Sequence, residues 1–92
     1  MVSSKPLNSL DNMWTEQNNA LSADLVFKNF NEAISFMTEA ARSIDKLNHH
    51  PEWSNVYNKV SIRLTTHDAG NRITDKDRKL AKILEDIYCK YQ

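Results

Sequence analysis

The clearest pattern along the chain is an amphipathic stripe in residues 30–47. Apolar side chains recur there at the three- and four-residue spacings of one helix face, at Phe30, Ala33, Ile34, Met37, Ala40, Ala41, Ile44 and Leu47. Asn29, followed by Glu32, resembles a capping box at the start. Pro51 disfavours helical geometry at His50, so the helix must end before it. The pattern predicts one long helix over 30–47.

From residue 56 to residue 66 the apolar spacing changes to two, which is typical of a strand with one buried face. The predicted buried face carries Val56, Val60, Ile62 and Leu64, and Asn58 interrupts it. This spacing predicts one continuous strand that ends at His67.

Two shorter β-like stretches precede the long helix. Residues 14–16 and 20–28 are predicted as strands, and the polar residues 17–19 between them are predicted as a turn. Residues 1–12 are polar, and we expect them to be loosely ordered apart from one helical turn around Leu7 to Met13.

A second helix is predicted after residue 74. The preceding turn, residues 68–71, holds the only glycine, Gly70, where a positive φ is expected. Thr74 is the predicted cap, and Asp75 and Asp77 fall in the first turn, where the macrodipole favours negative charge. The apolar stripe of this helix carries Leu80, Ile83, Leu84, Ile87, Tyr88 and Tyr91.

The order of strands, helix, strand and helix leaves no room for parallel crossovers. We therefore expect an α+β fold, a small antiparallel β-sheet of three to four strands with α-helices packed on one face. The 92 residues make a single domain, residues 1–92. A chain this short cannot cover both sheet faces with two helices. We therefore expect an oligomer interface at the open sheet face, or on the last helix at Tyr88 and Tyr91.

Composition narrows the class of protein. Lys plus Arg (12) equals Asp plus Glu (12), so no net charge favours nucleic acid or an anionic membrane. The single cysteine cannot form an internal disulfide, and no stretch approaches the ~18 apolar residues of a membrane span. The first ten residues lack an apolar signal core. These features predict a cytoplasmic protein.

The three histidines, His49, His50 and His67, are the candidate chemistry. The first two lie between a helix end and a strand start, and the third follows a strand; rigid elements often present catalytic groups at such positions. An imidazole has an unperturbed pKa of about 6.5, so it can exchange protons near neutrality. Asp45, four residues before His49, and Asp77 are carboxylates that could orient an imidazole.

Other interpretations of these residues stay open at this point. Three histidines can hold zinc with one open position, although the adjacent His49 and His50 project differently. Each histidine could instead be a surface or structural residue, and Asp77 a capping residue. Cys89 is a weak nucleophile candidate because it lies late on a helix, far in sequence from any histidine.

Several segments together resemble the pterin-4a-carbinolamine dehydratase family. The motifs are DKLNHHPEW at residues 45–53, VYNKV at 56–60 and LTTHDAG at 64–70. The similarity continues through Thr74-Asp75-Lys76-Asp77 and upstream through Phe27-Lys28-Asn29-Phe30 and Phe36-Met37, and covers about residues 14–90.

The resemblance implies an α+β fold and commonly a homotetramer built from dimers. It implies dehydration of 4a-hydroxytetrahydrobiopterin to quinonoid dihydropterin plus water, without metal or organic cofactor, in the recycling of tetrahydrobiopterin for aromatic amino acid hydroxylases. Animal members also bind and stabilise dimers of a homeodomain transcription factor. The alternative function is therefore a protein-interaction module, which could also enter the nucleus.

The resemblance also implies roles for individual residues. His49, His50 and His67 would carry the catalysis, with His50 and His67 as exchanging acid and base and His49 positioning the substrate. Asp77 matches the acidic residue that supports the site. The implied pterin pocket is lined by His49, His50 and Pro51 and by the backbone of Thr66, His67, Asp68 and Ala69.

The chain departs from the family pattern at two places near these residues. Between His67 and Asp77 it is one residue longer than many relatives, with Asn71 and Arg72 where a second glycine is often found. Lys76 stands where animal members have arginine, whose rigid donor fork lysine lacks.

Overall fold

A computed structural model describes residues 13–91, and in that range the chain folds into four strands and two long helices. The strands are β1 (Thr15–Gln17), β2 (Ala20–Val26), β3 (Glu52–Val56) and β4 (Lys59–Leu64). The helices are α1 (Phe30–Leu47) and α2 (Asp75–Cys89), and a short 3-10 turn covers His67–Ala69. The prediction for residues 1–12 lies outside the described residues.

The strands form one antiparallel sheet in the order β1-β2-β4-β3, which confirms the predicted α+β class. The register between the two central strands brings six apolar side chains onto one face, where all are buried: Leu21, Ala23, Leu25, Val60, Ile62 and Leu64. This face meets the buried sides of α1 and α2, so the core lies between one sheet face and the helices.

Helix α1 has the bounds that the apolar spacing predicts. Asn29 is its N-cap, and the Asn29 side-chain oxygen accepts the backbone N–H of Glu32 at 2.9 Å. The buried side is rotated from the predicted stripe, because Phe36 is fully buried while Phe30 and Ile34 are exposed. The spacing therefore located the helix correctly but misplaced the centre of its buried face.

The predicted single strand over residues 56–66 is wrong, because the chain reverses at Tyr57 and Asn58. Val56 ends β3 and pairs with Lys59 of β4, so it lies on the open face of the sheet with 70% of its surface exposed. It does not continue the buried row that begins at Val60. The two-residue apolar spacing resumes after Asn58 in the same phase, with Val56 before the turn and Val60 after it, which is why it suggested one strand.

Asparagine side chains hold this turn in place. The Asn55 amide donates to the carbonyls of Tyr57 and Lys59, at 3.1 and 2.8 Å. The Asn58 amide donates to the carbonyl of Phe27 at 2.9 Å, so the residue that interrupts the apolar row is an anchor between the turn and the end of β2. These bonds stabilise a left-handed Tyr57, with φ of 53°.

The first strand pair is confirmed with shifted ends. β1 begins one residue later than predicted and β2 ends at Val26. Asn18 and Asn19 make the turn with φ of 53° and 61°, a left-handed conformation that asparagine tolerates better than most residues. The sheet therefore has four strands, the upper end of the predicted range.

Tyr88 and Tyr91, which were expected at a subunit interface, pack within the chain. Both rings meet Phe27 edge to face, at centroid distances of 5.2 and 5.5 Å. The Tyr88 hydroxyl donates to the carbonyl of Val26 at 2.9 Å and accepts the Val26 N–H at 3.3 Å. The tyrosines thus attach the end of α2 to the end of β2.

We expect Tyr88→Phe to lower the free energy of unfolding by about 1 kcal/mol, because the ring contacts stay while the bonds to Val26 are lost. Urea unfolding measures the change. Tyr57→Phe, at the exposed turn, is the matched control and should change stability by less than about 0.5 kcal/mol. Equal losses in the two variants would contradict this role for the Tyr88 hydroxyl.

The opposite face of the sheet is open and largely polar. The Ser61 hydroxyl donates to Asp24 at 2.8 Å, and Arg63 donates to Glu52 at 3.4 Å across neighbouring strands. Neither helix of the described segment is both long enough and apolar enough to cross a membrane.

Candidate active site

The end of α1 determines where the first histidine lies. Asn48 adopts a left-handed conformation, with φ of 55° and ψ of 42°. The N–H groups of Asn48 and His49 bond to the carbonyls of Asp45 and Ile44, at 3.0 and 3.3 Å. These bonds form a Schellman motif, which ends the helix and fixes the backbone of His49 against its last turn.

The loop after β4 is folded around Thr66. Its carbonyl accepts the N–H groups of Ala69, Asn71 and Arg72, at 3.2, 3.0 and 3.3 Å. Its own N–H donates to the carbonyl of Arg72 at 2.9 Å. His67 follows directly and opens the 3-10 turn, so a buried threonine sets the position of this histidine.

Asp77 is a fully buried carboxylate in the first turn of α2. Its Oδ1 lies 2.6 Å from Nε2 of His49. Its Oδ2 accepts the hydroxyl of Thr66 at 2.7 Å and the backbone N–H of the N-cap Thr74 at 2.9 Å. Three donors satisfy the buried charge, and they join the ends of α1 and β4 to the start of α2.

These contacts set the charge state of the carboxylate. Burial alone would raise the pKa of Asp77, but hydrogen bonds from His49, from Thr66 and from the backbone of Thr74 outweigh burial and hold this pKa below its ordinary value. Asp77 is therefore ionised at neutral pH and accepts a hydrogen bond from Nε2 of His49. Nδ1 remains as the acceptor of the neutral His49 ring.

Asp45, the carboxylate four residues before His49, pairs with His50 instead. Nε2 of His50 lies 3.1 Å from Oδ1 of Asp45, and these side chains are 58% and 82% exposed. Such a solvated pair is weak. The four-residue spacing did not bring Asp45 to His49 because the left-handed Asn48 ends the helix between them.

The third histidine is held from its own loop. Nδ1 of His67 lies 2.6 Å from the side-chain oxygen of Asn71, and the His67 ring is otherwise exposed. Each of the three histidines thus has one ring nitrogen occupied by a different partner.

The three histidines line one cleft of about 250 Å³. Thr66 and Asp68 line it too, whereas Pro51 and Ala69 are not among its lining residues. Asp77 lies behind the cleft and reaches it through His49 and Thr66. The remaining lining residues are Asn48, Thr65 and Lys76.

The sequence did not indicate how the Thr66 side chain is used. Only its backbone was expected to contribute, but its hydroxyl donates to Asp77 and lies 2.7 Å from the hydroxyl of Thr74. Both threonines could be seen in the sequence, eight residues apart, yet only the folded loop brings them together. Asn48 likewise lines the cleft because it caps α1.

In the part of the chain that the structure describes, no group of three His, Cys, Asp or Glu side chains is placed to hold a metal ion. His49 and His50 instead pair with separate carboxylates. Cys89 is exposed at the end of α2 opposite Asp77.

Comparison with proteins of known sequence finds close relatives. A protein of Rhizobium rhizogenes is 59% identical over 66 residues, which span 72% of this chain and 64% of that relative. One from Opitutus terrae is 50% identical over 74 residues, 80% of this chain and 76% of the relative. Both relatives are named, provisionally, pterin-4-alpha-carbinolamine dehydratases.

A solved structure shares the fold. The crystal structure of a transcriptional coactivator/pterin dehydratase from Brucella melitensis superposes with a TM-score of 0.79 at 36% identity, over 89% of this chain and 92% of that chain. The sequence model of one family, pterin 4 alpha carbinolamine dehydratase, matches residues 3–87. This match covers most of the chain, and the chain belongs to the pterin 4 alpha carbinolamine dehydratase family.

Proposed function

We propose that this protein dehydrates 4a-hydroxytetrahydrobiopterin to quinonoid dihydropterin plus water, in the recycling of tetrahydrobiopterin in the cytoplasm. The observation that carries the proposal is the cleft in which His49, His50 and His67 come together in front of the buried Asp77. Family membership supplies the substrate class, and the cleft supplies proton donors and acceptors.

The reaction requires two proton transfers and no oxidation or reduction. An acid protonates the departing 4a-hydroxyl as its C–O bond breaks. A base takes the proton from the neighbouring ring nitrogen, and the electron pair left there forms the new C=N bond. Imidazoles, whose pKa lies near the working pH, suit both steps, and each can contribute about 10²–10⁴-fold.

We assign the exchanging acid and base to His50 and His67, and the positioning of substrate to His49. His50 and His67 are exposed, so they can return to their starting protonation states through water. The His49 side chain is only 11% exposed, and Asp77 holds its Nε2. That ring is oriented to accept a hydrogen bond from the pterin through Nδ1.

The pterin would lie against the loop after β4, along Thr66 and Asp68, which line the cleft. A second cleft of about 250 Å³ shares His49 and Lys76 with the first. It offers space for the substituent of the pterin ring. The proposed reaction uses no metal or organic cofactor.

The test is direct. The 4a-carbinolamine is generated in solution, and its disappearance is followed at neutral pH with and without the protein. We expect the protein to accelerate dehydration over the spontaneous rate. A folded protein that leaves the rate unchanged would reject the proposed activity.

A second function is favoured by the Brucella protein, which is described as a transcriptional coactivator as well as a dehydratase. In this alternative the protein is an interaction module that stabilises dimers of a transcription factor, with a nuclear role. Sedimentation of the protein mixed with a homeodomain factor's dimerisation segment tests it. Sedimentation of the two as separate species would argue against this role.

We also propose a homodimer or homotetramer. In the described sheet β3 is an edge strand, which can pair with another chain. Burial of the exposed apolar residues Val56, Phe30 and Ile34 against another subunit would stabilise so small a domain. Light scattering at micromolar concentration should give the mass of a dimer or a tetramer. A monomer mass would reject the proposal.

A further inference from the structure

The loop after β4 contains a side chain that holds His67 and lies outside the family motif. Oδ1 of Asn71 is 2.6 Å from Nδ1 of His67. The two residues are four positions apart, so the contact lies within this single loop.

Asn71 is fixed by the backbone around it. Its φ is 58°, and its N–H donates to the carbonyl of the buried Thr66 at 3.0 Å. The next residue, Arg72, forms an isolated β-bridge with Thr66. The side-chain amide of Asn71 is thus held at a fixed distance from the His67 ring and can orient that ring.

The contact determines which of the two neutral tautomers, Nδ1–H or Nε2–H, His67 adopts. An amide oxygen only accepts hydrogen bonds, so the ring nitrogen that faces it must carry the proton. In neutral His67 the proton then lies on Nδ1, and Nε2 carries the lone pair. Within residues 13–91 Nε2 of His67 has no hydrogen-bond partner, which leaves it for a ligand in the cleft.

The partner of His67 also differs in charge from the partners of the other two histidines. His49 and His50 face the carboxylates of Asp77 and Asp45. Asn71 is an uncharged amide, so it orients His67 through a hydrogen bond alone. The three rings of the cleft are therefore chemically distinct.

We propose that Asn71 is a positioning residue that selects the Nδ1–H form of His67 and so presents Nε2 to the substrate as a proton acceptor. The catalytic part of this proposal rests on the proposed dehydratase function. The proton position is a property of the protein without substrate and can be measured separately.

Two variants separate the side chain from the backbone. Asn71→Gly keeps the left-handed conformation, which glycine adopts freely, and removes the acceptor. Asn71→Asp keeps an acceptor oxygen at the same place. Asn18→Gly is the matched control, because Asn18 also has a positive φ, of 53°, in the turn between β1 and β2, and is not among the cleft residues.

Nitrogen NMR of the protein labelled at its histidines reports the proton position. We expect Nδ1–H at neutral His67 in the wild type and in Asn71→Asp, and a shift toward Nε2–H in Asn71→Gly. Asn71→Gly should also lower kcat/KM for dehydration about three- to tenfold, the size expected for loss of one hydrogen bond. Asn18→Gly should change neither quantity.

The outcomes distinguish the two proposals. Nε2–H at His67 in the wild type, or a spectrum unchanged in Asn71→Gly, would overturn the role of Asn71 whether or not the protein is active. A wild type with Nδ1–H but no dehydration would overturn the proposed function, and with it only the catalytic part of this inference.

Discussion

Replacing His67 by alanine should lower kcat/KM for dehydration of the 4a-carbinolamine by about 10²–10³-fold. The reason is that the cleft would lose one of the two groups that we assign to acid and base exchange, and each such group is worth about 10²–10⁴-fold. His50→Ala should cause a loss of similar size. Rapid-mixing measurement of the carbinolamine at neutral pH, corrected for the spontaneous reaction, gives both values.

A loss of fold is easily separated from a loss of chemistry in these variants. Because His50 and His67 are both exposed, their alanine variants should have free energies of unfolding within about 0.5 kcal/mol of the wild-type value. Added imidazole should restore part of the activity, since it supplies the missing proton carrier. Equal rates for the wild type and both variants would reject the assignment of these residues.

The elements that the sequence predicted best are the ones with the most internal repetition. α1 repeats its apolar spacing over several turns and has a side-chain cap at Asn29, so local information determines both its ends. The reversal at Tyr57 and Asn58 has no glycine or proline. It depends on the bond from Asn58 to the carbonyl of Phe27, a contact between distant residues that no local pattern contains.

The same contrast holds in the site. The histidines could be identified from their motifs, because residue type and spacing are properties of the sequence. Asp45 and Asp77 could be named as candidate partners, but the histidine that each one meets could not, because each pairing depends on a backbone detail. The left-handed Asn48 directs His49 away from Asp45, and the loop around Thr66 brings a hydroxyl to Asp77.

The loop between His67 and Asp77 is folded by two residues with positive φ. Gly70 and Asn71 are consecutive, with φ of 80° and 58°, and they fold the loop back on Thr66. Asp77 then lies in the first turn of α2, where it meets His49. The position of Asp77 could not be derived from loop length because the conformation of these two residues decides it.

Asp77→Ala should lower the free energy of unfolding at pH 7 by about 2–4 kcal/mol, the size expected when a buried hydrogen-bonded charge is removed. The imidazole of His49, the hydroxyl of Thr66 and the N–H of Thr74 would all lose their acceptor. Asp86→Asn is the matched control on the same helix. Asp86 is exposed and pairs with Lys82, so its loss should cost less than about 0.5 kcal/mol.

The same carboxylate should make stability depend on pH in a direction that the structure determines. The pKa of Asp77 is lower in the folded protein than its ordinary value, so the unfolded chain binds more protons in the interval between the two pKa values. The stability that the charged Asp77 contributes is therefore present above about pH 4 and is lost as pH falls through the folded-state pKa.

Urea unfolding of the wild type and of Asp77→Asn between about pH 2 and pH 7 measures this dependence. The asparagine variant cannot titrate at this position, so its stability should fall less steeply below about pH 4 and the two curves should converge there. Curves that stay parallel down to the lowest pH would show that Asp77 is not the buried charge on which this end of the sheet depends. Convergence would mean that the charge of Asp77 stabilises the junction of α1, β4 and α2, where the same carboxylate meets His49.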